Sequence, residues 1–229
     1  MSMTRYPNGL STRKSTDPLG SYTHPDPTDQ HQFFDDFNIY GAANWTVTLI
    51  GTGTAAIVAG DGGILALATT AASGDAVSLQ KTGEGFTFET GKPAWFKTRL
   101  KVSALTSVVV AGLQITDTTP EDVTDGIYFL STTGTGAITL YVRRNATTGS
   151  ASLAVGTLVA DTYTDLAWYW DGRDTVSAWQ DGVQKGSITG VAASYLPDAN
   201  TTVSFAARTT TAAIKTASFD YIFASKSRR

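Results

Sequence analysis

Side chains able to move a proton are scarce in this sequence of 229 residues: it has 2 histidines, His24 and His31, no cysteine, and glutamate only at Glu84, Glu89 and Glu121. A serine or threonine nucleophile needs a base beside it to accept its proton. Both histidines lie in the first 32 residues, among Pro7, Pro18, Pro25 and Pro27, so the remainder of the chain has no imidazole to offer a triad. Glycoside hydrolysis needs two carboxyl groups facing one cleft, about 5–10 Å apart. On a strand that means acids two or four positions apart, because alternate side chains share a face. Glu84 and Glu89 are five apart, on opposite parities, and Asp35 and Asp36 are adjacent and point apart. The chain is therefore expected not to be an enzyme.

Other chemistries find little more. Without cysteine there is no thiolate metal site. The aspartates of Asp61-Gly62, Asp125-Gly126, Asp171-Gly172 and Asp181-Gly182 could offer oxygen to calcium, but no calcium-loop spacing is present and each is explained by its turn. No metal and no cofactor is expected. Gly51-Thr52-Gly53-Thr54 and Gly134-Thr135-Gly136 lack the following helix and lysine of a phosphate loop. Net charge is −3, and Arg143-Arg144 and Arg228-Arg229 are too few and too separated to form a nucleic-acid stripe. No apolar run approaches the roughly 18 residues of a membrane span. What remains is ligand binding through aromatic rings: Trp45, Trp95, Trp168, Trp170 and Trp179 could stack on sugars, although filling space between sheets is their competing use.

The elements that would position these groups are strands. Charged residues make up 16% of the chain, against about 25% in an average soluble domain. Threonine occurs 37 times, and its β-branched side chain suits pleated, half-buried surfaces. Short apolar runs cut by turn residues predict strands over 45–50, 54–59, 63–69, 76–80, 85–89, 94–104, 107–117, 126–130, 137–143, 151–159, 164–170, 175–180, 183–188, 201–207 and 215–224. Along 94–104, Trp95, Lys97, Arg99 and Lys101 share the outward parity and Phe96, Leu100 and Val102 the inward one. From Phe219 to Ala224 both parities are apolar in part. Asp-Gly pairs supply the positive φ angles of tight hairpins, and Thr119-Pro120-Glu121-Asp122 has the signals of one helical turn. So many short strands without a repeat predict an all-β fold, a jelly-roll β-sandwich.

Residues 1–32 differ from the rest. They contain no valine or isoleucine, too little apolar surface to fold alone, and prolines that favour extended backbone. They read as an extended N-terminal arm ahead of a body over 33–229. Tyr6, Leu10, Leu19 and Tyr22 are its spaced apolar anchors. Thirty extended residues reach roughly 100 Å at most. Because the arm precedes the first core strand, its removal is expected to spare the sandwich.

The body resembles the concanavalin-like (laminin-G-like) jelly roll at Phe33-Phe34-Asp35-Asp36-Phe37, at Trp95-Phe96-Lys97-Thr98-Arg99-Leu100-Lys101-Val102 and at Asp165-Leu166-Ala167-Trp168-Tyr169-Trp170-Asp171-Gly172. Trp179-Gln180-Asp181-Gly182 and the closing Phe219-Asp220-Tyr221-Ile222-Phe223 carry the same likeness. Arg5-Tyr6-Pro7-Asn8-Gly9-Leu10, Gly112-Leu113-Gln114-Ile115-Thr116-Asp117-Thr118-Thr119-Pro120 and Asp125-Gly126-Ile127-Tyr128-Phe129 resemble tailed-bacteriophage virion proteins of this type. The resemblance implies a structural, capsid-decorating (cement) protein on the outer surface of the virion, synthesised in the host bacterial cytoplasm. Its implied partners are the major capsid protein and other copies of itself, a trimer before a dimer, with Arg5, Tyr6, Pro7, Leu10, Leu19 and Tyr22 as the arm's interface. The alternative is a carbohydrate-binding, lectin-like module on the virion surface or tail, with a surface glycan as partner.

Overall fold

The structure, a computed structural model, describes residues 29–83, 85–145 and 150–229. Two antiparallel sheets stack face to face. The first has eight strands in the order β13 (Val183–Thr189), β12 (Thr175–Gln180), β11 (Thr164–Trp170), β6 (Ala94–Val102), β15 (Thr216–Ser227), β4 (Ile64–Ala68) and β3 (Thr54–Val58), with β1 (Gln30–Asp35) paired to the second half of β15. The second has seven: β10 (Ser150–Thr157), β9 (Ala137–Arg143), β8 (Gly126–Ser131), β7 (Ser107–Gln114), β14 (Thr202–Thr209), β5 (Ala76–Lys81) and β2 (Trp45–Ile50). This is the expected jelly-roll sandwich. The arm residues Arg5, Tyr6, Pro7, Leu10, Leu19 and Tyr22 lie outside the described residues, as does Glu84.

Hydrophobic burial between the sheets holds the layers together. On β6, Phe96, Leu100 and Val102 are buried as their parity requires. Thr98 breaks the apolar pattern yet is also buried, and its hydroxyl is satisfied by donating to the Tyr221 carbonyl at 2.8 Å. Trp168 stacks on Phe96 with ring centroids 5.8 Å apart, and Phe205 of β14 meets Phe219 of β15 across the layers at 4.8 Å. β10 and β13 lie against each other and close one side of the sandwich. On the other side β2 and β3 are free edges, and Val47, Leu49 and Ile57 stay exposed there although they share the inward parity.

Several local expectations change. Of the five tryptophans, Trp45, Trp168 and Trp170 fill the core, whereas Trp95 and Trp179 are half-buried on the outside. The strand expected over 85–89 is a single bridge, Phe86 to Thr201. The helical turn expected at Thr119 is a plain turn, with the Asp122 N–H donating to the Thr119 carbonyl at 2.9 Å. A four-residue helix, α1 (Val191–Ser194), forms instead where the Asp174 carboxylate accepts from the N–H groups of Gly190 and Ala192. Asp181 (φ 52°) and Gly182 (φ 76°) make the tight turn between β12 and β13, as Asp-Gly predicts. Asp125-Gly126 makes none: Gly126 opens β8 and Asp125 is buried.

The strand β1 begins three residues inside the segment read as arm. Gln30, His31 and Gln32 pair with Ser227, Lys226 and Ser225, so removing residues 1–32 would strip half of β1 from its sheet. His31 is thus part of the sandwich, its ring 4.6 Å from that of Phe86. Opposite it, the Lys226 ammonium donates to Thr87 and, at 2.7 Å, to Glu89. Hydrogen bonds from Lys226, then Lys92 and Thr87, hold the Glu89 carboxyl down at about 2.

Two outcomes test this packing. Leu100→Ala should destabilise the chain by about 2–5 kcal/mol, whereas Lys97→Ala, on the exposed face of the same strand, should change stability by less than about 0.5 kcal/mol; urea unfolding of both distinguishes inside from outside. His31 titrates below its ordinary value of 6.5, through burial first and then the positive charges of Arg228 and Lys226. The unfolded chain therefore takes up a proton at this residue before the folded one does. Stability tied to neutral His31 is present above about pH 6.5 and is lost as pH falls below it. Thermal melts between pH 7.5 and 5 should show that loss in the wild type and a smaller one in His31→Gln; parallel curves would show that His31 senses no burial.

Candidate functional site

The outer face of the eight-stranded sheet is built by the register of its central strands. On β6, Trp95, Lys97 and Arg99 point outward. Ala167 of β11 stands between Trp179 of β12 and Lys97, and Lys97 stands opposite Phe223 of β15. One row along, Tyr169 stands opposite Trp95, with ring centroids 5.3 Å apart and planes tilted by 33°. Ala167 contributes only a methyl group where its neighbours contribute rings. The result is a depression of about 410 Å³ walled by Trp95, Tyr169, Trp179 and Phe223, with Lys97 on its rim.

Polar groups border the rings on one side. Arg99 donates to Asp220 at 2.9 Å and lies 4.8 Å over the Tyr163 ring; the Lys101 ammonium is 5.0 Å from the same ring. The Tyr221 hydroxyl donates to Asp165 at 2.8 Å. Burial, then that hydrogen bond, raises its pKa above the ordinary tyrosine value, so it remains a donor. The Lys97 ammonium lies 5.6 Å from the Tyr221 ring. Half-buried aromatic rings beside fixed polar groups make an amphipathic surface suited to a ligand with alternating C–H and O–H faces.

The seven-stranded sheet carries a second depression, of about 300 Å³, lined by Ile50, Ser78, Pro120, Glu121, Asp122 and Arg208 among others. It lies beside the loop over 115–125, which buried side chains of the sheet pin down. Gln80 donates to the Ile115 carbonyl at 2.9 Å and accepts from the Asp117 N–H at 2.8 Å, and Gln114 donates to the Pro120 carbonyl at 2.7 Å. Glu121 takes both hydrogen bonds of the Arg208 fork, at 2.5 and 2.7 Å, and Arg143 donates to Asp122 at 3.0 Å. Charges here are spent on holding the loop, while the first depression presents rings. We therefore take the first as the candidate site.

The sequence shows part of this. Trp95 shares the parity of Lys97, Arg99 and Lys101, which marks it as outward, and Trp179 alternates against Val176 and Ala178. Trp95 thus faces the way its parity predicts, and of the two positions open to the tryptophans it and Trp179 take the outer one. Ala167 as a floor carries no signal of its own, because its role depends on which residues stand across from it on β6 and β12.

No family model matches the sequence, and no curated protein does. Solved structures do match. The endo-1,3-beta-glucanase from Streptomyces sioyaensis aligns with a TM-score of 0.63 over 91% of this chain and 100% of its own, at 14% identity. The Bacillus licheniformis beta-glucanase aligns at 0.60 over 86% and 98%, with 13% identity. Peanut lectin aligns at 0.60 over 86% and 97%, with 9% identity. The fold is thus the concanavalin-like jelly roll of glucanases and lectins. This overturns the expectation that the chain is not an enzyme, since two of these neighbours are glucanases on the same architecture. That expectation tested only acids placed on strands, whereas the structure brings Glu121 and Asp122 to the rim of a depression from a loop.

Proposed function

We propose that this chain is a carbohydrate-binding jelly roll displayed on the surface of a phage virion. The observation that supports binding is the depression over Ala167, where Trp95, Tyr169, Trp179 and Phe223 surround one alanine methyl. Such rings can cover the C–H face of a pyranose, remove apolar area from water and leave the sugar hydroxyls to the rim. Peanut lectin and the two glucanases, proteins of this fold, carry names that speak of sugars, which favours the same class of ligand. Placement on a virion rests on the resemblance of the N-terminal and 112–129 segments to phage virion proteins. In that placement the segment holding Arg5, Tyr6, Pro7, Leu10, Leu19 and Tyr22 ties the chain to the major capsid protein or to neighbouring copies.

Immobilised β-1,3-glucan, mixed-linkage β-glucan and polysaccharides from bacterial surfaces are the probes, with soluble products followed so that cleavage registers as well as binding. The wild type should be retained by at least one of them. Trp179→Ala should weaken retention about tenfold or more while moving the melting temperature by no more than a few degrees, because the ring stands on the outer face of the sheet and not in the core between the layers. Retention unchanged by Trp179→Ala and by Trp95→Ala would remove the site; no retention on any glycan would remove the reading.

A further inference from the structure

Resting on the carbohydrate reading, we infer that the sugar held at this site is acidic, and that Lys97 selects it by meeting a carboxylate carried on the ring. The first ground is what stands around Lys97. A lysine on a sheet surface ordinarily faces an acid or a polar residue on a neighbouring strand. Lys97 faces Ala167 on β11 and Phe223 on β15. It takes part in none of the ion pairs among the described residues, while Arg99, two positions along the same strand, is paired to Asp220 at 2.9 Å. The acids of this face are engaged elsewhere. Asp220 holds Arg99, and Asp165, which stands opposite Arg99 rather than Lys97, accepts the Tyr221 hydroxyl. Lys97 and Lys101 are the outward cations of β6 outside the ion pairs of the described residues; Lys101 lies 5.0 Å from the Tyr163 ring, and of the two it is Lys97 that lines the depression.

The second ground is spacing. Trp179 and Lys97 occupy one row, separated by Ala167, so their backbones are about 10 Å apart at two strand spacings. Tyr169 and Trp95 form the next row, about 7 Å along the strands. A single sugar ring laid over the Ala167 methyl has the Trp179 ring on one side and β6 on the other, where the Lys97 ammonium rests 5.6 Å from the Tyr221 ring on a stem flexible enough to swing toward the depression. A group projecting from that ring toward β6 reaches Lys97. A neutral hydroxymethyl group there gains an ordinary hydrogen bond; a carboxylate gains a charge-assisted one, roughly twice as strong. The neighbouring rings also keep the pair partly dry, which strengthens it. Lysine suits this task because its ammonium is a point charge on a flexible stem and accepts a carboxylate from several directions.

A lysine stem that only shields Phe223 from water is the competing account, and the experiment separates the two. Full-length wild type, Lys97→Gln, Lys97→Arg and Trp179→Ala chains are titrated with oligosaccharides of galacturonate, glucuronate and mannuronate. Each is matched to its own carboxyl-reduced, neutral form, and the neutral β-glucans are included. In low salt the wild type should bind at least one acid form about tenfold more tightly than its reduced partner, a difference of about 1.4 kcal/mol. That margin should shrink in 0.5 M salt, vanish in Lys97→Gln and persist in Lys97→Arg, whereas Trp179→Ala should weaken acid and neutral forms together. Equal or stronger binding of the neutral forms overturns the inference and leaves the carbohydrate reading standing. An acid preference unchanged in Lys97→Gln overturns the assignment to Lys97. Binding to no member of the panel overturns this inference, and if the bacterial-surface polysaccharides are not retained either, the carbohydrate reading falls with it.

Discussion

The register of β6 between β11 and β15 is the constraint on which both the core and the candidate site depend. Side chains alternate with a period of two, so a slip of one residue would carry Phe96, Leu100 and Val102 to the solvent and drive Lys97 and Arg99 between the sheets. The first change forfeits buried apolar area and the second buries unpaired charge; each alone is prohibitive on the scale of a domain's net stability. Thr98 helps to fix the register, because its hydroxyl reaches the Tyr221 carbonyl and would lose that partner in any other alignment. Core and site are thus two faces of one decision, and neither can be altered by a shift without destroying the other.

A bulge in β15 completes the arrangement. Phe219 pairs with Leu100 and Tyr221 with Arg99, which leaves Asp220 as an extra residue. Inward parity is carried by Phe219 before the bulge and by Ile222 and Ala224 after it. That is why the sequence from Phe219 to Ala224 shows apolar residues on both parities, with Phe219 and Phe223 on one and Ile222 and Ala224 on the other, and no clean alternation. The bulge also brings the Asp220 carboxylate to the Arg99 guanidinium, a re-aiming of one side chain that such irregularities commonly perform.

What could be read from the chain follows from whether the information was local. Fourteen of the fifteen strands correspond to predicted ones, because apolar runs and Asp-Gly turns are written into neighbouring residues. The outward parity of Trp95 was equally local. The missing strand, β1, is short and mostly polar, and it exists because β15 offers it a partner some two hundred residues away in sequence. The placement of His31 and the floor at Ala167 likewise depend on residues across the sheet. The carboxylates of the 115–125 loop could not be placed from periodicity at all, since their positions are set by Gln80, Gln114 and Arg208 reaching out of the sheet.

The two outer faces divide the work of the sandwich. On the seven-stranded sheet, ion pairs and buried amides hold the 115–125 loop in place and leave the charges there satisfied. On the eight-stranded sheet the rings stand partly exposed. A depression wide enough for one sugar ring buries little area, and the free energy left after the ligand's lost motion is small. Weak single sites serve well when many copies are presented on one particle, because the second and later contacts are then intramolecular and their effective concentration does what affinity does not. A shallow aromatic site on a rigid sandwich, carried beside a long segment with its own apolar anchors, suits that kind of repeated display better than it suits a protein acting alone in solution.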